Sequence, residues 1–297
     1  MRFFLLTSFF LIFNGQVIAS VHTSGGNKPN PVPMEKQLEL REFLSSFIID
    51  MDEKFFGRIE KINGGAEFEE LFKSTENSDW DIKVTRGDVM EKTGRMLSIG
   101  RKLGPGRGDG VLTWGRFYSL DMHPKTPLVG MLHATIVMQM FEDNTIATGG
   151  WLGVMPGTKI EVDLARIKKL TNDYFAKHDK DPSLYRELIC KGTHETIFEF
   201  RRKPACSGVS FYGPPVYRGN PEASIKFITG LFELFVDDYV NITLERSDDA
   251  FTEADIAAQD KMRKSWLIDQ LFSDPYASSV VPFDIWSFAN VAPVIKF

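Results

Sequence analysis

The run His123-Pro124-Lys125-Thr126-Pro127-Leu128-Val129-Gly130-Met131-Leu132-His133 holds two of the chain's five histidines, ten residues apart, with a proline-bounded bend between them. Residues Leu132 to Phe141 beyond the bend are apolar and β-branched enough for a central strand. A strand leaving a stiff turn is a good mount for a side chain that must hold one position. The plainer reading is a hydrogen-bonded core histidine. His123 and His133 are also two candidate metal ligands, but no third His, Cys or carboxylate stands at a recognisable spacing, so no metal is expected. His178 and His194 are free in principle. Ser-His-Asp and Cys-His catalysis have no local signature. Gly104 to Gly110 lacks the Gly-Lys-Ser/Thr ending of a phosphate loop, and Pro105 breaks the dinucleotide pattern. It reads as a hairpin loop that contains the tripeptide Arg107-Gly108-Asp109.

The elements that must position these residues follow from periodicity. Glu35 to Ile62 reads as one helix, with Leu40, Leu44, Phe47, Ile48, Met51, Phe55 and Ile59 at three- and four-residue steps. Trp80–Met90, Arg95–Arg101, Val111–Met122, Met131–Phe141 and Thr145–Leu152 are strand-like, and Phe198 to Phe211 is a further strand region. Ile160–Lys177, Pro221–Arg246 and Glu253–Phe272 are helical, Asp181-Pro182-Ser183 opens a turn or helix, and the tail from Val280 to Phe297 reads as extended. Strands first, with helices flanking them, predict an α+β fold with an antiparallel sheet. No internal repeat or linker divides it, so residues 34–297 are expected to form a single domain.

Composition narrows the class. A net charge of −5 with no basic block argues against a nucleic-acid binder. Arg2, the apolar run Phe3–Phe13 and the small residues near Ala19 read as a signal peptide over residues 1–20, followed by a flexible arm over 21–33. No later segment is apolar enough for a stable membrane span, so the mature protein is expected to be exported and soluble. Cys190 and Cys206, the only cysteines, could pair or remain two buried thiols. Asn241-Ile242-Thr243 is a glycosylation sequon.

From about Ile59 to Phe297 the chain resembles the oxygen-dependent coproporphyrinogen III oxidase family, which converts two propionates of its substrate to vinyl groups. Gly87-Asp88-Val89-Met90-Glu91-Lys92-Thr93-Gly94 is similar to the family's G-x-V-F-E-K-A-G. His123-Pro124-Lys125-Thr126-Pro127 with Leu132-His133 is similar to its H-P-K/R-N-P…V-H. Weaker matches, in the same order, are Ile62-Asn63-Gly64-Gly65-Ala66 with Phe68, Gly150-Trp151-Leu152-Gly153, His178 with Asp181-Pro182-Ser183-Leu184-Tyr185, Gly208-Val209-Ser210-Phe211 and Val294-Ile295-Lys296-Phe297. The resemblance implies a large antiparallel β-sheet flanked by helices on both faces, a homodimer, no organic cofactor, and O2 as co-substrate. It implies His133 and His123 as catalytic residues, with His133 transferring or positioning a proton. Lys92, Arg95, Lys125 and Trp151 are implied at the site of a tetrapyrrole-type anionic small molecule.

The departures bear on activity. The family's Arg four residues after the second His is Val137 here. Its Asp for the pyrrole N–H groups aligns with Gly157, a later His with Lys168, another near Glu199, and the Asn of its G-V-N step with Arg95-Met96. A ring carrying four carboxylates needs several cations and a central acceptor. Losing one charged partner in a dry site costs ~2–5 kcal/mol. Lys92, Arg95, Lys125, Arg201 and Arg202 could supply a different anionic site, although each is more often a solvated charge. The alternative to a working oxidase is a non-catalytic secreted tetrapyrrole-binding or interaction protein on the same scaffold.

Overall fold

The computed structural model describes residues 31–65, 67–103, 110–190, 205–272 and 281–297. The expected signal peptide, the Arg107-Gly108-Asp109 tripeptide, His194, Arg201 and Arg202 lie outside these residues. Among the described residues seven strands form one antiparallel sheet in sequence order. They are β1 (Phe68–Ser74), β2 (Ser78–Thr85), β3 (Met90–Gly100), β4 (Leu112–Pro124), β5 (Met131–Phe141), β6 (Ile146–Met155) and β7 (Val209–Ser210). Six helices are described: α1 (Met34–Ile62), α2 (Glu161–Lys177), α3 (Ser183–Cys190), α4 (Pro221–Arg246), α5 (Glu253–Phe272) and α6 (Phe283–Asn290).

Period-two alternation divides the strand side chains between two helical layers. Tyr118, Leu120 and Met122 of β4, with Leu132, Ala134, Ile136 and Met138 of β5, join one buried cluster. Its other side is Leu40, Leu44, Ile48 and Phe55 of α1 and Ile228, Leu231, Phe232, Phe235 and Tyr239 of α4. Trp80 and Ile82 of β2 and Met96 of β3 point the other way and pack on Ile285, Trp286 and Ala289 of α6, with Leu267 of α5 alongside. The fold is thus α+β, with an antiparallel sheet flanked by helices on both faces. Among the described residues no helix is long and apolar enough to cross a membrane.

Three sequence expectations shift. β3 starts at Met90, five residues before the predicted strand, and β2 ends at Thr85. Periodicity does not predict β1, because its sequence FEELFKS is largely exposed at the sheet edge and lacks a clean apolar alternation. Only the family resemblance, which makes residues 62–66 with Phe68 the entry to a first strand, points to it. The tail expected to be extended contains α6. Pro282 precedes its first turn, Asp284 lies in that turn, and Ile285, Trp286 and Ala289 bury one face.

Cys190 and Cys206 form a disulfide with a Cα–Cα separation of 5.1 Å, joining the end of α3 to the chain entering β7. Asn241 lies inside α4, where its Oδ1 accepts a 2.5 Å hydrogen bond from Arg58 Nη2, and Thr243 is fully buried. The folded sequon is therefore closed to a modifying enzyme.

Candidate functional site

Strand register assembles the site. Asp121 of β4 and His133 of β5 are direct cross-strand partners, on the sheet face that α5 and α6 cover. His133 Nδ1 lies 2.7 Å from Asp121 Oδ1. A carboxylate only accepts, so Nδ1 donates, and in the neutral form of the ring the free lone pair is on Nε2. Asp121 is fully buried, while the His133 side chain keeps 14% of its surface exposed. The pair therefore has a sealed end and an open end. Asp121 Oδ2 accepts a 2.9 Å hydrogen bond from Ser119 Oγ and another from Asn290 Nδ2.

His123, two residues beyond Asp121, shares its face. Its Nε2 donates to the Asn290 carbonyl at 3.2 Å, which leaves Nδ1 as a buried acceptor with no hydrogen-bond partner among the described residues. Burial, reinforced by the nearby cations Lys92 and Arg263, holds its pKa well below the usual imidazole value. His123 is a neutral, structural neighbour of the dyad. Lys92 pairs with His123 across β3 and β4 and is 2% exposed. Its Nζ donates to the Val291 carbonyl at 2.5 Å. Burial, aided by Arg86 and opposed by Asp121, brings its pKa down to about 7.

α5 and α6 fix this arrangement. Gln259 Nε2 donates to the carbonyls of Pro124 and Thr126, and Arg263 Nη2 donates to that of Pro124, so α5 holds the proline bend. Trp266 of α5 sets its ring 5.0 Å from that of His133 and donates Nε1–H to the Asn290 carbonyl at 3.2 Å. Asn290 ends α6, where carbonyls have no partner within the helix. His123, Trp266 and Lys92 satisfy the carbonyls of residues 290 and 291. Gly94, opposite Asp121 on β3, permits the approach, because a Cβ there would overlap the Ala289 carbonyl.

His133, His123, Lys92 and Trp151 share this face of the sheet, with Trp151 one row from the dyad opposite Thr135. Arg95 does not join them. It lies on the opposite face, paired with Asp52 of α1 at 2.9 Å and Asp81 at 3.0 Å, because the three-residue step from Lys92 along the regular part of β3 is odd. Lys125 lies past the end of β4, 58% exposed, and pairs with Asp88. Val137 shares the face of His133, four residues along β5. Gly157 packs against α5, where a Cβ would come within 2.7 Å of the Ala258 carbonyl carbon and the Gln259 nitrogen. A carboxylate at position 157 has no room.

Sequence reasoning missed Asp121, Ser119, Trp266 and Asn290. A faint signal existed for the first two. An acid inside an otherwise apolar strand, spaced by two from Ser119 and His123, puts three polar groups on one face. Nothing local marks Asn290 or Trp266. No protein-family model and no curated protein matches the chain.

Proposed function

We propose that this protein is a diverged, exported relative of oxygen-dependent coproporphyrinogen III oxidase that takes an anionic, N–H-rich tetrapyrrole, with His133 moving the proton. The observation that carries the reading is the His133–Asp121 pair. It stands where the family resemblance puts a catalytic histidine, on a central strand after the proline bend, with Nε2 as acceptor at the open end. In the family conversion each propionate becomes a vinyl group with loss of carbon dioxide, one proton and two electrons. The electrons and two protons reduce O2 to hydrogen peroxide. A neutral imidazole backed by a buried carboxylate suits the proton step, since the charge it gains is stabilised by Asp121. A homodimer belongs to the same reading.

A second reading, tetrapyrrole binding without turnover, is favoured by two particular residues. Val137 removes a cation from the face of His133, and α5 fills the space that an acid at Gly157 would need. The test is incubation of the purified protein with coproporphyrinogen III under oxygen, followed by mass analysis of the products. Loss of carbon dioxide is the expected result. His133→Ala should abolish it, and Asp121→Asn should slow it by about 10²- to 10⁴-fold. Undiminished turnover by His133→Ala refutes the role of His133. Unchanged masses together with an absorbance shift on porphyrin titration establish the binder instead. Neither signal leaves an interaction protein on the same scaffold.

A further inference from the structure

We propose that Asn290, the last residue of α6, is the positioning residue of the dyad. Its amide holds the Asp121 carboxylate in the orientation that fixes the His133 tautomer. This rests on the reading of His133 as a proton-transfer group, but the geometry behind it stands apart from any substrate.

The amide orientation is forced. Asp121 Oδ2 can only accept, so Nδ2 of Asn290 faces it and also lies 3.3 Å from Ser119 Oγ. The amide oxygen then points into a buried place with no hydrogen-bond partner among the described residues. A buried amide that uses only its donor is uncommon, because an unpaired polar atom is costly away from water. A leucine would fill the same volume without that cost, so packing alone does not account for an asparagine here. What the side chain supplies is a donor to Asp121.

The consequence reaches His133 through the carboxylate. With Oδ2 held by Ser119 and Asn290, Oδ1 has one direction left, toward His133 Nδ1. Without Asn290 a single hydroxyl holds the far oxygen. The carboxylate can then turn about its Cβ–Cγ bond, weakening its hold on the Nδ1 proton. The tautomer of an imidazole is set by the bond its other nitrogen makes, so loosening Asp121 lets the proton move to Nε2. An Nε2–H ring at the open end is a donor, and it has lost the lone pair that accepts a proton.

The test is imidazole 15N spectroscopy of the full chain with assigned His133 signals, in the parent, Asn290→Ala and Asn290→Leu. Leucine keeps the bulk and removes the amide, of which only the donor has partners among the described residues, and it serves if alanine collapses the packing. The parent should show the Nδ1–H form alone. The folded variants should show the Nε2–H form at about a fifth of the population or more. A folded variant with an unchanged Nδ1–H signature overturns the proposal. So does failure of both variants to fold, which would make Asn290 a packing residue. The readout needs no turnover, so absence of tetrapyrrole chemistry would sink the proposed function and leave this inference to be judged on its own spectrum.

Discussion

Replacing Lys92 with Met should change how stability depends on pH. Lys92 is 2% exposed, and its ammonium has one fixed partner, the Val291 carbonyl. In the folded chain it gives up its proton near pH 7, and in the unfolded chain near its ordinary 10.5. Between those limits the unfolded state binds more protons, so the contribution of Lys92 to stability rises with pH, at about 1.36 kcal/mol per pH unit. It is smallest below pH 7 and complete above 10.5. From pH 7 to 9.5 the rise is about 3 kcal/mol. Groups that titrate alike in parent and variant cancel in the difference. Urea unfolding followed by circular dichroism at pH 7, 8, 9 and 9.5 measures it. The parent should gain about 3 kcal/mol relative to Lys92→Met across the series. At pH 7 the two should lie closer, because the variant loses one hydrogen bond but no longer buries a charge. A difference that stays flat with pH would mean that the folded lysine keeps its proton past pH 9.5, and the account of a desolvated Lys92 beside the dyad would be wrong.

Two more perturbations probe the supports of the site. Gly94→Ala places a methyl group against the Ala289 carbonyl, so α6 must lift from the sheet. The expected cost is about 1–3 kcal/mol, seen as a lower urea midpoint together with a change in the His133 imidazole signals. An unchanged midpoint would show that α6 does not sit on Gly94. Reduction of the Cys190–Cys206 bond, which spans 16 residues, should cost about 3 kcal/mol. Parallel denaturation with and without reductant, compared against Cys190→Ser, reads the loss. Equal midpoints would remove the disulfide from the stability of the fold.

How legible these features were depended on the range of the interaction that makes them. The long helices α1 and α4 announce themselves, because apolar residues recur along one face of each and the contacts they anticipate are the core itself. β4 and β5 are nearly as plain, being long and apolar on the face that meets α1 and α4. β1 is hidden because an edge strand buries little and its composition answers to solvent. α6 is hidden because eight residues give barely two turns of periodicity, and its aromatic content reads equally well as extended chain. Of the residues implied at the site, Lys92 and Arg95 are only three positions apart, yet they project from opposite faces of β3. Alternation alone predicts that separation once the strand begins at Met90, five residues before the apolar pattern suggests.

The sequence by itself determined the fold class and the mount of His133 after the proline bend; the proposed role of the histidine rests on a resemblance in residue order. These depend on local periodicity and on residue order, which a linear chain records in full. Tertiary structure alone decided what stands behind His133. Asp121 becomes its partner through the β4–β5 register, and Asn290 reaches Asp121 from a helix nearly 170 residues away. It also decided that position 157 is closed, because α5 crosses it. Hydrogen bonds and steric exclusion act through space over a few ångströms, and chain separation says nothing about which distant segment will supply them.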